Sequence, residues 1–252
     1  MSSSLILYDI ASSLPEQTFS PNTAKARYAL NVKGIPHRTV FLEYHEIEPT
    51  CKKIGAKPTG DSATGYSLPV LYDPATNTAI SDSIEIARYL DVTYPSSLPV
   101  LIPKGTTALH YAFIDAHAAV LLPLYTYALP ATLSIVNPVS QAYFRRTREA
   151  LFGGKRLEDV VPTGEAHVEM WKEFEAGFGK IDAWYRKNEN GGKGEYFMGE
   201  DTISYADITV VGYLRWANTV LGKDLWEDIA GWHGGRWGRL RKAFEKYDKV
   251  IV

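Results

Sequence analysis

Residues 67–90 read Ser-Leu-Pro-Val-Leu-Tyr-Asp-Pro-Ala-Thr-Asn-Thr-Ala-Ile-Ser-Asp-Ser-Ile-Glu-Ile-Ala-Arg-Tyr-Leu. An apolar strand from Val70 to Tyr72 follows Pro69, and Asp73, Pro74 and Asn77 supply turn chemistry. A second short strand ends near Ile80. Ser81, Asp82 and Ser83 are helix-capping residue types, and Ile84, Ala87 and Leu90 continue an apolar stripe from Ile80 at helical spacing. The stretch therefore predicts a hairpin, then a helix with a polar cluster at its N-terminus. Free N–H groups and the positive helix end converge there, which suits a carboxylate on Ser83, and Asp82 beside it suits an ammonium. A ligand with both groups on one carbon, an α-amino acid end, fits the pair. A capped helix beside an edge strand is the purely structural alternative. A proline at a strand start leaves the Val70 backbone open to pairing outside the sheet.

Toward the N-terminus, Leu5 to Tyr8 reads as a buried strand and Asp9 to Thr18 as a loop. Ser20 followed by Pro21 is a helix-start pair, with serine at the N-cap and proline at the first helical position. That helix runs to about Lys33, where Gly34 and Pro36 stop it. Thr39 to Leu42 is a second strand, Glu46 to Ile54 a weak helix, and Gly55 to Tyr66 a Gly- and Pro-containing loop. The order is βαβ followed by ββα, the thioredoxin-like arrangement.

Beyond residue 93 the composition changes. Residues 94–103 hold Pro95, Pro99 and Pro103 and read as a linker. From Lys104 onward strand patterns nearly vanish. One long Ala-rich helix is expected from Thr106 to about Tyr127, with Pro123 and Pro130 kinking or ending it. Further helices are expected over 141–152, basic at Arg145, Arg146 and Arg148, and over 165–188. A Gly-rich turn follows over 190–195. Ser204 and Asp207 form a Ser-x-x-Asp capping box opening an apolar helix, and two short helices end the chain over 224–228 and 236–246. The expected division is residues 1–93, 94–103 and 104–252.

Composition narrows the function classes. The 252 residues carry a net charge of −2, so no global affinity for nucleic acid or anionic membrane is implied. One cysteine, Cys51, excludes an internal disulfide framework and suits a reducing compartment. No signal peptide pattern and no membrane-length apolar run is evident, which makes the cytoplasm the expected location. Sixteen tyrosines and six tryptophans suggest either an aromatic-lined pocket or helix–helix cores filled with rings. His110 and His117 share a helix without a third ligand nearby, so no metal site is expected. The aromatic and basic run from Trp232 to Lys242 is read as a helix with a cationic face rather than a nucleic-acid site.

The Leu-Pro-Val hairpin with Asp-Ser opening a helix resembles the glutathione-binding half of the cytosolic glutathione transferase superfamily. The Ser-x-x-Asp box resembles its second signature. Ser-Pro-Asn-Thr at 20–23, Arg27 to Leu30, Ile47-Glu48-Pro49 and Cys51 to Pro58 look most like the fungal-specific class A branch, related to β-etherases. The resemblance covers nearly the whole chain and implies a thioredoxin-like α/β domain followed by an all-α domain. It implies glutathione as co-substrate, held by Leu68, Pro69, Val70, Asp82 and Ser83, with Asn22 and Ser20 at the first helix. Lys53 or Lys57 would face the glycyl carboxylate.

Glutathione reacts as a thiolate, and a hydroxyl donor at a helix N-terminus favours that form. Ser20 has both attributes and is the expected activating residue; Tyr8, Ser12 and Ser13 are its rivals, and a cap alone is the bland reading. The missing N-terminal cysteine argues against mixed-disulfide chemistry. The second substrate is expected between the domains, near Phe19, Tyr111, Asp115, Tyr125 and Tyr127, in a pocket suited to planar aromatic or hydrophobic molecules. The reading is a transferase acting on such electrophiles or on peroxides, with peroxidase or β-etherase-like side activity. The alternative is a ligandin that binds aromatic or polyphenolic compounds with little turnover. A homodimer is implied by the resemblance.

Overall fold

The computed structural model describes residues 4–60, 65–188, 195–199 and 202–252. The sheet has four strands, β1 (Leu5–Ile10), β2 (His37–Leu42), β3 (Val70–Asp73) and β4 (Thr78–Ser81), in the order β2-β1-β3-β4. β1 pairs parallel with β2 and antiparallel with β3, and β3 pairs antiparallel with β4. α1 (Pro21–Val32) crosses from β1 to β2, α2 (Tyr44–Lys53) follows β2, and α3 (Ser83–Thr93) follows β4. The βαβ–ββα order read from the sequence is the one found, and the other regular elements among the described residues are helices, apart from one isolated bridge between Tyr196 and Gly199. The part of the 55–65 loop at 61–64, and residues 190–194 of the expected turn, lie outside the described residues.

Local chemistry sets the helix starts. Ser20 caps α1 with Pro21 in its first turn, and Asp82 caps α3 by accepting from Ile84 N at 2.9 Å. The capping box at Ser204 opens α8 (Tyr205–Val220), with Asp207 accepting from Ser204 N and from Phe197 N. The buried Arg27–Asp9 ion pair and the Arg27–Thr39 hydrogen bond tie α1 to both β1 and β2.

The long helix expected over 106–127 is instead two helices, α4 (Thr107–Ala118) and α5 (Leu122–Thr132), set at 70° across a short break. Pro123 starts α5 rather than ending a helix, because a proline in the first turn lacks only an N–H that would have no partner. α6 (Pro138–Leu151) and α7 (Gly164–Tyr185) follow, and α9 (Lys223–Phe244) is broken at residues 232–235, where Trp232 is extended and His233, Gly234 and Gly235 take positive φ. The expected cationic face after that break is solvated only in part: Arg236 and Arg241 are buried, paired with Asp182 and Asp248, while Arg239 and Lys242 are exposed. His110 and His117 are also buried, and burial pushes the His117 imidazole down to about 3. No single described helix is long and apolar enough to cross a membrane.

α1 packs on α8 as closely as backbones allow. A Cβ on Gly212 of α8 would lie 2.8 Å from the Pro21 carbonyl oxygen and 3.0 Å from Lys25 Cγ. This contact fixes the start of α1, and therefore Ser20, against the helical part of the chain.

Candidate active-site cleft

A cleft of about 880 Å³ opens between the ends of α1 and α3, the segment before β3, and helices α5, α6 and α8. Six of the expected glutathione-site residues line it: Ser20, Asn22, Leu68, Pro69, Asp82 and Ser83. Phe19 and Tyr125, expected near the second substrate, line it as well.

Ser20 is 5 % exposed, and its hydroxyl oxygen accepts from Thr23 N at 3.5 Å, a long cap contact. Its proton has no acceptor among the described residues. The rivals are placed differently. Ser12 donates to Gln17 O at 2.7 Å, Ser13 donates to Ile135 O at 3.1 Å, and Tyr8 does not line the cleft. Cys51 is buried in α2, where burial pushes its thiol up to about 11.

The Leu68–Pro69 peptide is cis, and Leu68 is buried beside the cleft. Neither its N–H nor its carbonyl is hydrogen-bonded to another described residue, although buried backbone groups are nearly always paired. Val70 is the opposite case. It sits in register with Tyr8 on one side and Ser81 on the other, and it does not line the cleft. The open backbone expected at Val70 is found one residue before the proline, because β3 is an inner strand.

Asp82 holds φ +76° and ψ 137°, a conformation that costs a non-glycine residue of order 1–3 kcal/mol and is concentrated at ligand clamps. That backbone turns its exposed carboxylate and the buried Ser83 hydroxyl toward the cleft, and the buried Tyr205 hydroxyl stands beside Ser83.

Five other expected residues do not reach the cleft. Lys53 and Lys57 are exposed outside it. Tyr111 and Asp115 lie on the outer side of α4, whose His110, Phe113 and His117 turn inward; the Tyr111 hydroxyl bonds Glu85. Tyr127 is buried against α7, hydrogen-bonded to His167 Nδ1 at 2.8 Å.

The cleft holds residues the sequence reading did not single out. Lys25 is 8 % exposed, with its ammonium 5.6 Å from the Tyr213 ring centroid. Burial pushes it down to about 8, against the opposing charge of Asp82. Trp216 and Tyr213 of α8 form one aromatic wall with Tyr125. Tyr44 and Tyr143 form another, stacked at 5.1 Å.

The sequence matches the family description "Glutathione S-transferase, N-terminal domain" over residues 19–93 and "Glutathione S-transferase, C-terminal domain" over residues 108–247. The chain belongs to the glutathione S-transferase family. Among its transferase relatives, the glutathione S-transferase-like protein ustS of Aspergillus flavus is 30 % identical, with 96 % of this chain and 90 % of that one covered. A glutathione S-transferase of Ceriporiopsis subvermispora, solved in complex with glutathione, is 44 % identical with a TM-score of 0.89, covering 98 % and 99 % of the two chains. The glutathione transferase GSTFuA3 of Phanerochaete chrysosporium is 35 % identical with a TM-score of 0.90 over the whole of both chains. Transferase membership accounts for the architecture, a thioredoxin-like sheet domain and a helical domain with the cleft between them.

Proposed function

We propose that the chain is a glutathione transferase that binds glutathione along the Ser20, Leu68 and Ser83 side of the cleft. The observation that carries this is the convergence there of complementary open groups: a serine proton, an unpaired backbone pair at Leu68, and an acid beside a helix N-terminus. The cysteinyl backbone would pair with Leu68, the γ-glutamyl ammonium with Asp82, and its carboxylate with Ser83 and the start of α3. Asn22 would contribute from α1. Lys53, Lys57 and Val70, which do not line the cleft, are given no role in this arrangement.

In this reading Ser20 Oγ–H donates to the glutathione sulfur, and the α1 N-terminus adds its positive end. Both favour thiolate over thiol, so the bound thiol ionises below its free value. The thiolate then attacks an electrophilic carbon of a small aromatic or hydrophobic molecule lying against the Tyr125, Tyr213 and Trp216 wall, forming the C–S bond as the leaving group departs with its electron pair or the attacked double bond takes up a proton. With a peroxide it attacks oxygen, the O–O bond breaks to release the alcohol, and a second glutathione reduces the resulting sulfenate to the disulfide and water. We place the branch with the fungal class A enzymes, with peroxidase or β-etherase-like side activity. We also assign residues 1–93 to glutathione, 94–103 to the linker and 104–252 to the second substrate, in a cytoplasmic homodimer. The amount of aromatic surface in a cleft of about 880 Å³ favours a second reading, a ligandin for polyphenolic compounds.

A turnover panel tests the choice. Isothiocyanate, hydroperoxide and aryl-ether substrates are assayed with glutathione, beside displacement of a fluorescent probe by polyphenols. Turnover abolished by blocking the glutathione thiol supports the transferase. Tight polyphenol binding with no turnover supports the ligandin.

A further inference from the structure

The basic cluster on α6 is only partly neutralised. Arg145 is taken up by Glu149 and Glu158, at 2.9 and 2.6 Å. Arg146 and Arg148 have no acidic partner among the described residues, and both line the cleft. Arg148 is held in place without one. Its guanidinium carbon lies 5.7 Å from the centroid of the Tyr44 ring and 5.1 Å from that of Phe144, and Nη1 donates to Thr147 Oγ1 at 3.0 Å. Arg146 lies 5.4 Å from the Tyr143 ring centroid, and Tyr143 stacks on Tyr44. A stacked, positioned guanidinium presents a fork of donors suited to a planar anion.

Among the described residues the charges lining the cleft are Lys25, Arg146 and Arg148 against Asp82, in a chain whose net charge is −2. A cationic cleft in an anionic protein focuses its field on negatively charged ligands. Beside these arginines the wall is made of rings.

We propose that the α6 end of the cleft is a specificity site for an aromatic second substrate carrying a carboxylate or another planar anion, with Arg148 as its principal partner and Arg146 at the rim. This rests on the transferase reading for the rest of the cleft. The anion would meet the Arg148 fork while its ring lies against the Tyr44–Tyr143 stack, leaving the substrate's other end directed to the glutathione side.

The test is calorimetric titration of the purified protein, with and without saturating glutathione, using 2-naphthoate and its neutral isostere 2-naphthamide. Wild type is expected to bind the acid about tenfold more tightly than the amide, the order expected of a charge-assisted hydrogen bond in a half-exposed setting. Arg148→Gln should abolish the preference, Arg148→Lys should keep part of it, and Arg145→Gln should leave it unchanged. Glutathione affinity should stay within about twofold in all three. Equal binding of acid and amide by wild type overturns the proposal, and so does an Arg148→Gln variant that loses glutathione affinity instead. A preference for the acid in a protein that does not bind glutathione leaves the anion site standing and removes the transferase reading.

Discussion

Gly212 of α8 faces the carbonyl of Pro21 so closely that a Cβ there would sit 2.8 Å from the oxygen. Pro21 is the residue after Ser20, so the helical domain sets the position of the serine through backbone contact rather than through a side chain. Burying a glycine at a helix crossing trades helix propensity for that approach.

Gly212→Ala is therefore expected to push the two helices apart. Overpacking of this kind costs about 1–3 kcal/mol. A loss of 1 kcal/mol in a chain of this size lowers Tm by about 2–4 °C. Thermal unfolding reads the first effect. Turnover per folded molecule, which should also fall, reads the displacement of Ser20. Unchanged values for both would mean that α1 and α8 are free to separate without consequence.

Lys25 is a stability cost beside the cleft. Its folded-state pKa is lowered from 10.5 to about 8, so between those values the unfolded chain binds more protons and stability rises with pH. At pH 7 the ammonium is charged in both states and the folded state carries the full desolvation penalty, on the order of 3 kcal/mol. Lys25→Met is expected to raise Tm at pH 7, and the gain should shrink as pH climbs from 8 past 10. Chemical denaturation of both proteins across that range measures it. A gain that is constant with pH would show that the ammonium is not the cause.

Asp82 carries backbone strain without contributing a large fold-stabilising contact, since its carboxylate is exposed and, among the described residues, accepts only the Ile84 N–H. Asp82→Asn keeps a capping side chain tolerant of positive φ and removes the charge. Glutathione should bind about threefold to tenfold more weakly, with Tm nearly unchanged. Calorimetric titration with glutathione and with a γ-glutamyl-deaminated analogue tests this: the analogue should not distinguish the two proteins.

How far the sequence reached depends on the range of the interactions involved. The Ser20-Pro21 start of α1, the Asp82-Ser83 start of α3 and the Ser204–Asp207 box are local hydrogen-bond patterns, and each is legible from residue type and spacing. The order of strands and helices follows from the same punctuation. The open backbone expected at Val70 is not found there because Pro69 suggests a strand edge, whereas β3 is enclosed between the neighbouring hairpin strand β4 and β1, whose paired residues lie some sixty positions away. Tyr111, Asp115 and Tyr127 were misplaced because an Ala-rich helix has apolar residues on several faces, and only the 70° turn between α4 and α5 decides which of them faces inward. The exposed Lys53 and Lys57 drew attention as cations near the site, while Lys25, the cation buried in it, sits in an ordinary-looking helix. Its burial comes from α8, which no local pattern reveals.

In the proposed function the Ser20 hydroxyl holds the sulfur of bound glutathione as a thiolate. The most direct test is the thiolate absorbance near the ultraviolet edge, titrated against pH for glutathione bound to wild type and to Ser20→Ala at saturating ligand. Wild type is expected to ionise bound glutathione at least about one pH unit below Ser20→Ala, a difference of about 1.4 kcal/mol, with turnover falling about tenfold or more in the variant. Equal thiol pKa values in the two complexes would contradict the claim and leave Ser20 as a helix cap alone.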